Sequence, residues 1–195
     1  MKIGIFCGSF NPVHMGHAMV ASYCVQRCGL DEVWLMPSRV NPLKVDAPPA
    51  PDRHRLAMCR LVAEKVKGLR ASDFEQKLPA PSYTYRTLCR LREEYPEHEF
   101  TLIIGSDNWH VFPRWRNYKE IREQFDILIY PRPWFGVHLG DSFPRVRAVD
   151  DPLAPSAEIS STFIRRGLQE GMDMNFYLLP EVIHYIKENH LYERD

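Results

Sequence analysis

The sequence predicts an α/β protein with a doubly wound parallel sheet and a small helical portion at the C-terminus. Short apolar runs alternate along the chain with segments in which apolar residues recur every three or four positions. This order of strand and helix is typical of parallel sheets. The 195 residues suit one domain. We predict that domain over residues 1–195, with residues 156–195 as its helical portion.

Apolar runs bounded by turn residues predict the strands, and longer periodic segments predict the helices. The predicted strands are Lys2–Cys7, Val33–Met36, Leu69–Ala71, Phe100–Ile104 and Ile127–Tyr130. The predicted helices are Met15–Cys28, Pro51–Val66, Ser82–Tyr95, Tyr118–Gln124, Ser160–Gln169 and Pro180–Asn189. Two proline-rich segments, 41–51 and 131–155, predict irregular chain. The first is interpreted as a loop over a ligand site, or alternatively as a plain linker.

Composition excludes several classes of function. Lys plus Arg and Asp plus Glu number 25 each, so no broad basic surface favours nucleic acid. No apolar run approaches the length of a membrane span, and the N-terminal run is too short for a signal peptide. We therefore expect a cytoplasmic protein with reduced cysteines. Cys24 and Cys28 lie one helical turn apart and could share a metal, but no second pair supports this alternative, and we expect no protein metal site.

The most informative segment is GSFNPVHMGH, residues 8–17, which lies between the first predicted strand and the first predicted helix. Gly8 allows a sharp turn and the close approach of a ligand. The helix N-terminus that follows offers N–H groups and a partial positive charge to a phosphate. His14 and His17 are spaced so that both can face one ligand. A single such histidine is more often a surface or core residue, so the prediction depends on the whole segment.

A second candidate is EISSTFIRRGL, residues 158–168, which predicts a helix capped by Ser160 or Ser161 with a basic residue one turn further on. Taken alone, this segment fits a capped surface helix better than a ligand site, because serine caps are common. In IIGSD, a buried strand ends at Gly105 and places Asp107 where a carboxylate commonly binds ribose hydroxyls, or caps the next helix.

These segments together resemble the nucleotidyltransferase superfamily that carries the HxGH motif. With SYTYRTL at 82–88, IGSDNWHVFPRW at 104–115 and LLPEVIHYIKENHLY at 178–192, the chain is similar over nearly its whole length to bacterial nicotinate-nucleotide adenylyltransferases. The resemblance implies a Rossmann-like fold and the transfer of AMP from ATP to nicotinate mononucleotide, which yields deamido-NAD and pyrophosphate. Alternatives are a preference for nicotinamide mononucleotide, another HxGH adenylyltransferase, and a nucleotide-binding sensor or RNA-binding relative without catalysis.

The resemblance also implies roles for individual residues. His14, His17 and Arg165 would be catalytic. ATP would be bound by Gly8, Ser9, Phe10, His17, Gly105, Asp107, Ser160, Ser161, Thr162 and Arg165. Nicotinate mononucleotide would be bound by Lys44, Tyr83, Thr84, Trp115 and Arg132, with Trp115 stacked on the nicotinate ring. Mg²⁺ would be held mainly through the substrate phosphates, and a homo-oligomer is possible.

The chain departs from the family pattern at the first motif and at one loop. Cys7, Ser9 and Asn11 replace the usual Gly, Thr and Asp of the first motif. The family's PPHK loop reads NPLK at 41–44, so its histidine is lost while Lys44 keeps the terminal base. We expect none of these changes to remove a phosphate contact, since backbone groups and imidazoles would make those contacts.

Overall fold

A computed structural model describes residues 1–39, 49–137, 139 and 143–193. In these residues, six strands form one sheet in which every neighbouring pair is parallel. The strands are β1 (Lys2–Gly8), β2 (Glu32–Pro37), β3 (Leu69–Ala71), β4 (Glu99–Gly105), β5 (Asp126–Tyr130) and β6 (Val146–Ala148). The predicted α/β class and Rossmann-like parallel sheet are confirmed.

The strand order β3-β2-β1-β4-β5-β6 creates a switch point at the centre of the sheet. The chain fills one half of the sheet outward from β1 and then returns to fill the other half from β4. β1 pairs with β2 on one side and with β4 on the other. Loops that leave the carboxyl ends of β1 and β4 therefore run in opposite directions, and doubly wound sheets bind ligands in the crevice between such loops.

The helices are α1 (Met15–Arg27), α2 (Asp52–Lys65), α3 (Phe74–Lys77), α4 (Thr84–Glu94), α5 (Ser106–Val111), α6 (Tyr118–Gln124), α7 (Ser161–Gln169) and α8 (Pro180–Glu188), with a 3₁₀ turn at Phe112–Arg114. All five predicted strands and all six predicted helices are present, with ends shifted by a few residues. The structure adds the short elements α3, α5 and β6. The prediction that 131–155 is irregular throughout is wrong at Val146–Ala148, because this short segment extends the sheet beyond β5.

Apolar side chains cover both faces of the sheet. On one face the core joins Cys24 of α1, Met58 of α2, Ile164 of α7 and Val182 of α8. On the other face it joins Leu88 and Leu91 of α4 with Ile121 of α6. Burial on both faces explains why the central strands read as continuous apolar runs rather than alternating ones.

None of the helices formed by the described residues is long and apolar enough to cross a membrane.

Candidate active site

The loop between β1 and α1 turns sharply at the carboxyl edge of the sheet. Gly8 ends β1, and a Cβ atom there would lie 3.2 Å from the ring of Phe10, so any larger residue would require that ring to shift by a few tenths of an ångström. Phe10 has a φ of 42°, and the Asn11–Pro12 peptide is cis. His14 then caps the N-terminus of α1. The predicted phosphate loop is therefore a compact turn with buried Phe10 and Asn11 side chains.

The two histidines of this loop stack on each other. Their ring centroids are 3.7 Å apart with an angle of 27° between the planes. The backbone N–H of His14 donates to Nδ1 of His17 at 3.2 Å. Since Nδ1 of His17 accepts this hydrogen bond, Nε2 carries the proton in the neutral ring and can donate to a ligand. Phe10 lies edge-on to His17, with 4.9 Å between centroids, and supports its orientation.

His14 is buried and neutral in this environment. Its side chain is only 3% exposed, and Nδ1 has no hydrogen-bond partner among the described residues. Burial, and then the positive charge of Arg132, lower the pKa of His14 to about 4. The resemblance implies a catalytic role for both histidines, and for His14 the structure favours that of a neutral hydrogen-bonding imidazole. The positive charge at this position comes from arginine.

The start of α7 lies against the same loop, so the two predicted phosphate segments come together. The Ser161 hydroxyl donates to the Pro12 carbonyl at 3.0 Å. Nη1 of Arg165 donates to the Asn11 carbonyl at 2.9 Å, and Nη2 lies 3.4 Å from Oγ1 of Thr162. Ser160 is the cap of α7, since its hydroxyl oxygen accepts from the Phe163 N–H at 3.1 Å. We refer to residues 8–17 and 160–165 together as the phosphate half of the site.

Two neighbouring groups bind other parts of the protein rather than facing the phosphate loop. The Met15 N–H at the start of α1 donates to the Tyr177 carbonyl at 2.9 Å, so it is not available to a ligand. Arg166 points away from the loop and pairs with Glu170 at 2.7 Å on the helix surface. One backbone N–H at the start of α1 is therefore already used within the protein.

A buried arginine, missed by the sequence reasoning, fixes the phosphate loop from below. Arg55 of α2 has no exposed surface. Its Nη1 donates to the Ser9 carbonyl at 2.6 Å, its Nε donates to the Ala50 carbonyl at 2.9 Å, and its Nη2 pairs with Asp52 at 2.5 Å. One feature of the sequence could have identified Arg55: it lies on the buried face of the predicted helix. A charged side chain at such a position requires several hydrogen-bond partners.

Asn11 joins three distant segments and was noted in the sequence only as a departure from the family pattern. Its Oδ1 accepts from the Ala50 N–H at 3.0 Å and from the Tyr192 hydroxyl at 2.8 Å. Its carbonyl accepts from Arg165, as described above. An amide oxygen makes these contacts without a buried negative charge, which gives the Asp-to-Asn departure a physical explanation.

The ends of β4 and β5 bring three further predicted residues together. A Cβ atom at Gly105 would lie 2.3 Å from Oδ1 of Asp107, so the glycine gives that carboxylate its space. This Oδ1 is buried and has no hydrogen bond within the described part of the chain, and Nε of Arg132 lies 4.0 Å away. The Arg132 N–H donates to the Ser106 hydroxyl at 2.8 Å. A carboxylate oxygen that accepts no hydrogen bond suits a ribose hydroxyl.

A shallow, open cleft lies beside these residues and encloses no room for a water molecule. Its walls are Gly16, Met19 and Val20 of α1 on one side and Tyr130, Pro131, Arg132 and Pro155–Ala157 on the other. Arg132, which we expected to contact nicotinate mononucleotide, thus lies with the predicted ATP residues. The cleft continues from the phosphate half, since Gly16 belongs to both.

The predicted residues for the second substrate form a separate cluster. Tyr83 caps α4, and Thr84 is the first residue of that helix. The guanidinium of Arg116 lies 4.7 Å above the Tyr83 ring, and the Trp115 ring packs at 5.4 Å from Phe112. We refer to Tyr83, Thr84, Trp115 and Arg116 as the acceptor half of the site. Lys44, also predicted here, lies outside the described residues.

Buried Glu75 positions the start of the acceptor half and was also missed. Its Oε1 accepts from the Ser82 hydroxyl at 2.8 Å and from the Arg39 N–H at 3.3 Å. The turn before Tyr83 is thereby tied to the segment that follows β2. Burial raises the pKa of Glu75. The sequence offered no signal for this role, because α3 has only four residues.

Comparison with known proteins agrees with this geometry. Residues 5–167 match the model of the cytidylyltransferase-like family. A probable nicotinate-nucleotide adenylyltransferase of Bacteroides fragilis is 50% identical over 93% of this chain and 89% of its own length. A relative of the same name from Flavobacterium johnsoniae is 42% identical over 100% of both chains. The chain belongs to the cytidylyltransferase-like family, among its nicotinate-nucleotide adenylyltransferases. The family expected from the sequence is thus confirmed.

Solved structures share the fold over the whole chain. A putative nicotinate-nucleotide adenylyltransferase from Vibrio parahaemolyticus has a TM-score of 0.70 at 27% identity, covering 98% of this chain and 94% of that one. A nicotinic acid mononucleotide adenylyltransferase of Plasmodium falciparum, solved with NaAD, has a TM-score of 0.78 at 22% identity over 98% of this chain and 97% of that one. This second likeness concerns the fold alone.

Proposed function

We propose that this protein transfers AMP from ATP to nicotinate mononucleotide and releases deamido-NAD and pyrophosphate. The bacterial relatives that match nearly the whole chain carry the name of this activity. The observation that carries the proposal is the meeting of the two phosphate segments. The His14–His17 stack at the end of β1 and Arg165 of α7 are joined through the Asn11 carbonyl, at the switch point of the sheet.

ATP then lies with its phosphates in the phosphate half and its nucleoside in the cleft beside α1. His17, Thr162 and Arg165 offer donors of the kinds that bind phosphate oxygens. The Ser161 hydroxyl donates to the Pro12 carbonyl and holds the two segments together. Asp107, whose Oδ1 accepts no hydrogen bond from the described part of the chain, accepts from the ribose hydroxyls. Arg132 lines the cleft and its charge acts on His14, so we assign it to ATP rather than to the mononucleotide.

The reaction needs no protein nucleophile. A phosphate oxygen of the mononucleotide, already ionised at neutral pH, forms a bond to the α-phosphorus of ATP, and the bond from that phosphorus to the bridging oxygen of the β-phosphate breaks. The protein aligns the two phosphates and stabilises the charge that develops on the pyrophosphate. Nε2–H of His17 and the Arg165 guanidinium supply that stabilisation, since the hydrogen bond from His14 keeps Nε2 of His17 protonated.

Mg²⁺ fits this site as an ion held mainly by substrate oxygens and water. The phosphate half offers imidazole and guanidinium donors, which bind phosphate oxygens rather than Mg²⁺ itself. No cluster of three or more His, Cys, Asp or Glu side chains able to hold a metal is found among the residues that the structure describes. When bound, the ion would neutralise negative charge on the phosphates.

The acceptor half is suited to a planar, anionic ring. Trp115 presents an aromatic surface, and the start of α4 at Thr84 places a helix N-terminus where a nicotinate carboxylate would gain from N–H groups. Arg116, packed on Tyr83, adds a cation to this half. This arrangement favours the acid over the amide of the mononucleotide.

Pyrophosphate release with ATP and each mononucleotide tests the proposal. We expect a higher kcat/KM for nicotinate mononucleotide than for nicotinamide mononucleotide. Equal or reversed values would favour the nicotinamide enzyme. Tight ATP binding without pyrophosphate release from either compound would favour a nucleotide sensor.

A further inference from the structure

Trp134 occupies an unusual position in the turn that follows β5. Its side chain is 92% exposed, and its backbone has a φ of 69°. The Phe135 N–H donates to the Arg132 carbonyl at 3.2 Å and closes the turn around it. A positive φ is costly for a bulky residue and free for glycine. Neither burial nor backbone preference therefore explains a tryptophan here.

The turn is held on both sides although its tryptophan is exposed. The indole N–H of Trp134 donates to Oε1 of Glu158 at 2.6 Å. On the other side, Nε2 of His110 lies 3.1 Å from the Gly136 carbonyl, and the His110 ring packs on Phe135 at 5.5 Å. A hydrogen bond to a carboxylate is stronger than one between neutral groups and fixes the indole orientation. The large aromatic face is thus held in place and exposed to solvent.

The two residues joined by this hydrogen bond each lie close in sequence to a segment that lines the cleft, although neither lines it itself. Trp134 follows Arg132 by two positions, and Glu158 directly follows Ala157. Arg132 and Ala157 both line the cleft that we assign to the nucleoside of ATP. The indole therefore reaches from the β5 segment to the segment that precedes α7, at the edge of the cleft.

We propose that Trp134 is the platform on which the adenine of ATP stacks, with Glu158 as the residue that holds the indole in position. This inference rests on the proposed function, because it requires ATP in the cleft. The phosphates are held by His17 and Arg165, so the base lies further along the cleft, toward Trp134. A flat aromatic surface suits a purine, and stacking of a base on an aromatic side chain stabilises binding substantially. Trp134 is then a binding residue for ATP, and Glu158 a positioning residue.

Steady-state kinetics of Trp134→Ala test the platform. We expect the KM for ATP to rise about tenfold, which corresponds to the loss of one base–aromatic stack. The KM for nicotinate mononucleotide and kcat should change less than about twofold, since the reacting phosphates are held elsewhere. Trp134→Phe keeps an aromatic face and should retain most of the affinity. Glu158→Ala, which frees the indole, should raise the KM for ATP less than Trp134→Ala does.

Phe176→Ala is the matched control. Phe176 is 94% exposed and has a φ of 68°, so it shares the exposure, aromatic character and backbone conformation of Trp134 on a different loop. We expect no change in the KM for ATP. Both variants should melt within about 2 °C of the unaltered protein, because exposed side chains contribute little to stability.

Inorganic tripolyphosphate separates this inference from the proposed function. It carries the phosphates of ATP without a base, so it should compete with ATP equally well in the unaltered protein and in Trp134→Ala, and less well in Arg165→Ala. If tripolyphosphate does not compete, or if no pyrophosphate is released, the proposed function fails. If the protein is active and Trp134→Ala leaves the KM for ATP unchanged, or raises both KM values alike, the platform is overturned.

Discussion

The two halves of the candidate site are held together by different interactions. In the phosphate half, nearly every group that shapes the loop is fixed by a hydrogen bond, and the buried Arg55 binds the Ser9 carbonyl from below. In the acceptor half, rings determine the geometry. Arg116 lies over Tyr83 at 4.7 Å, and Trp115 packs on Phe112 at 5.4 Å.

This difference matches what each half has to do in the proposed reaction. Hydrogen bonds fix atoms to within a few tenths of an ångström, which the alignment of two phosphates requires. Aromatic contacts are weaker and less directional, and they suit recognition of a flat ring. Changes in the phosphate half should therefore lower kcat or stability, whereas changes in the acceptor half should raise the KM for one substrate.

The largest effect is expected from His17→Ala. Loss of the Nε2–H donor should lower kcat by about 10²–10³-fold, as removal of one oxyanion donor does in other enzymes. Pyrophosphate release at saturating substrates measures the effect, and circular dichroism should show an unchanged fold. His184→Ala is the control, because His184 is an exposed histidine that pairs with Glu188 on α8. A kcat for His17→Ala within a few-fold of normal would exclude this role.

Arg55→Met should produce the next largest effect, on stability. The variant leaves Asp52 and the carbonyls of Ser9 and Ala50 without their buried donor. We expect the free energy of unfolding to fall by about 3 kcal/mol, measured with urea. Arg60→Met on the exposed side of the same helix should cost much less. Equal losses in the two variants would show that the hydrogen bonds of Arg55 to the phosphate loop contribute little to the free energy of unfolding.

The phosphate half was largely predictable from the sequence, for a physical reason. Gly8, His14 and His17 lie within ten residues, so one strand–turn–helix unit determines their geometry. Ser160, predicted as one of two possible caps, is the cap of α7. The strands could also be located from the sequence. Their burial on both faces of the sheet makes each of them a continuous run of apolar residues.

The supporting residues could not be predicted in the same way. Arg55 contacts Ser9 across 46 positions, and Tyr192 contacts Asn11 across 181 positions. Such contacts depend on tertiary packing, and the local pattern of apolar residues carries no information about them. Trp109, Phe112 and Trp115 recur every three positions in the sequence, a spacing that fits one face of a helix. In the structure Ser106–Val111 forms a short helix and Phe112–Arg114 a 3₁₀ turn, after which Trp115 is extended. β6 and α3, which have three and four residues, were missed, although the equally short β3 was predicted.

The third prediction concerns pH and the buried imidazole of His14. Its pKa lies near 4 in the folded protein and near 6.5 in the unfolded chain. Between these values the unfolded state binds more protons, so the stability that His14 contributes is complete above about pH 6.5 and is lost as the pH falls toward 4. Between pH 7 and pH 4.5 this loss amounts to about 2 kcal/mol.

Urea unfolding of the protein and of His14→Gln at pH 7 and pH 4.5 measures the contribution of His14 to the free energy of unfolding. Gln does not titrate, so the variant should lose about 2 kcal/mol less than the unaltered protein between pH 7 and pH 4.5. Other groups, such as His54, titrate in both proteins and cancel in the difference. Parallel stability curves for the two proteins would mean that His14 is protonated at an ordinary pKa, and that the phosphate half carries more positive charge than the structure indicates.

The smallest effect is expected from Arg116→Ala in the acceptor half. A cation–π contact contributes about 1 kcal/mol at a partly exposed position, so the KM for nicotinate mononucleotide should rise about fivefold when Tyr83 loses it. The KM for ATP and kcat should stay within about twofold, because the phosphate half is untouched. Arg122→Ala is the matched control, since Arg122 lies 4.3 Å above the Phe143 ring away from both halves. A rise in both KM values, or a fall in kcat alone, would show that the aromatic contacts of the acceptor half also align the phosphates, and the division between the halves would not hold.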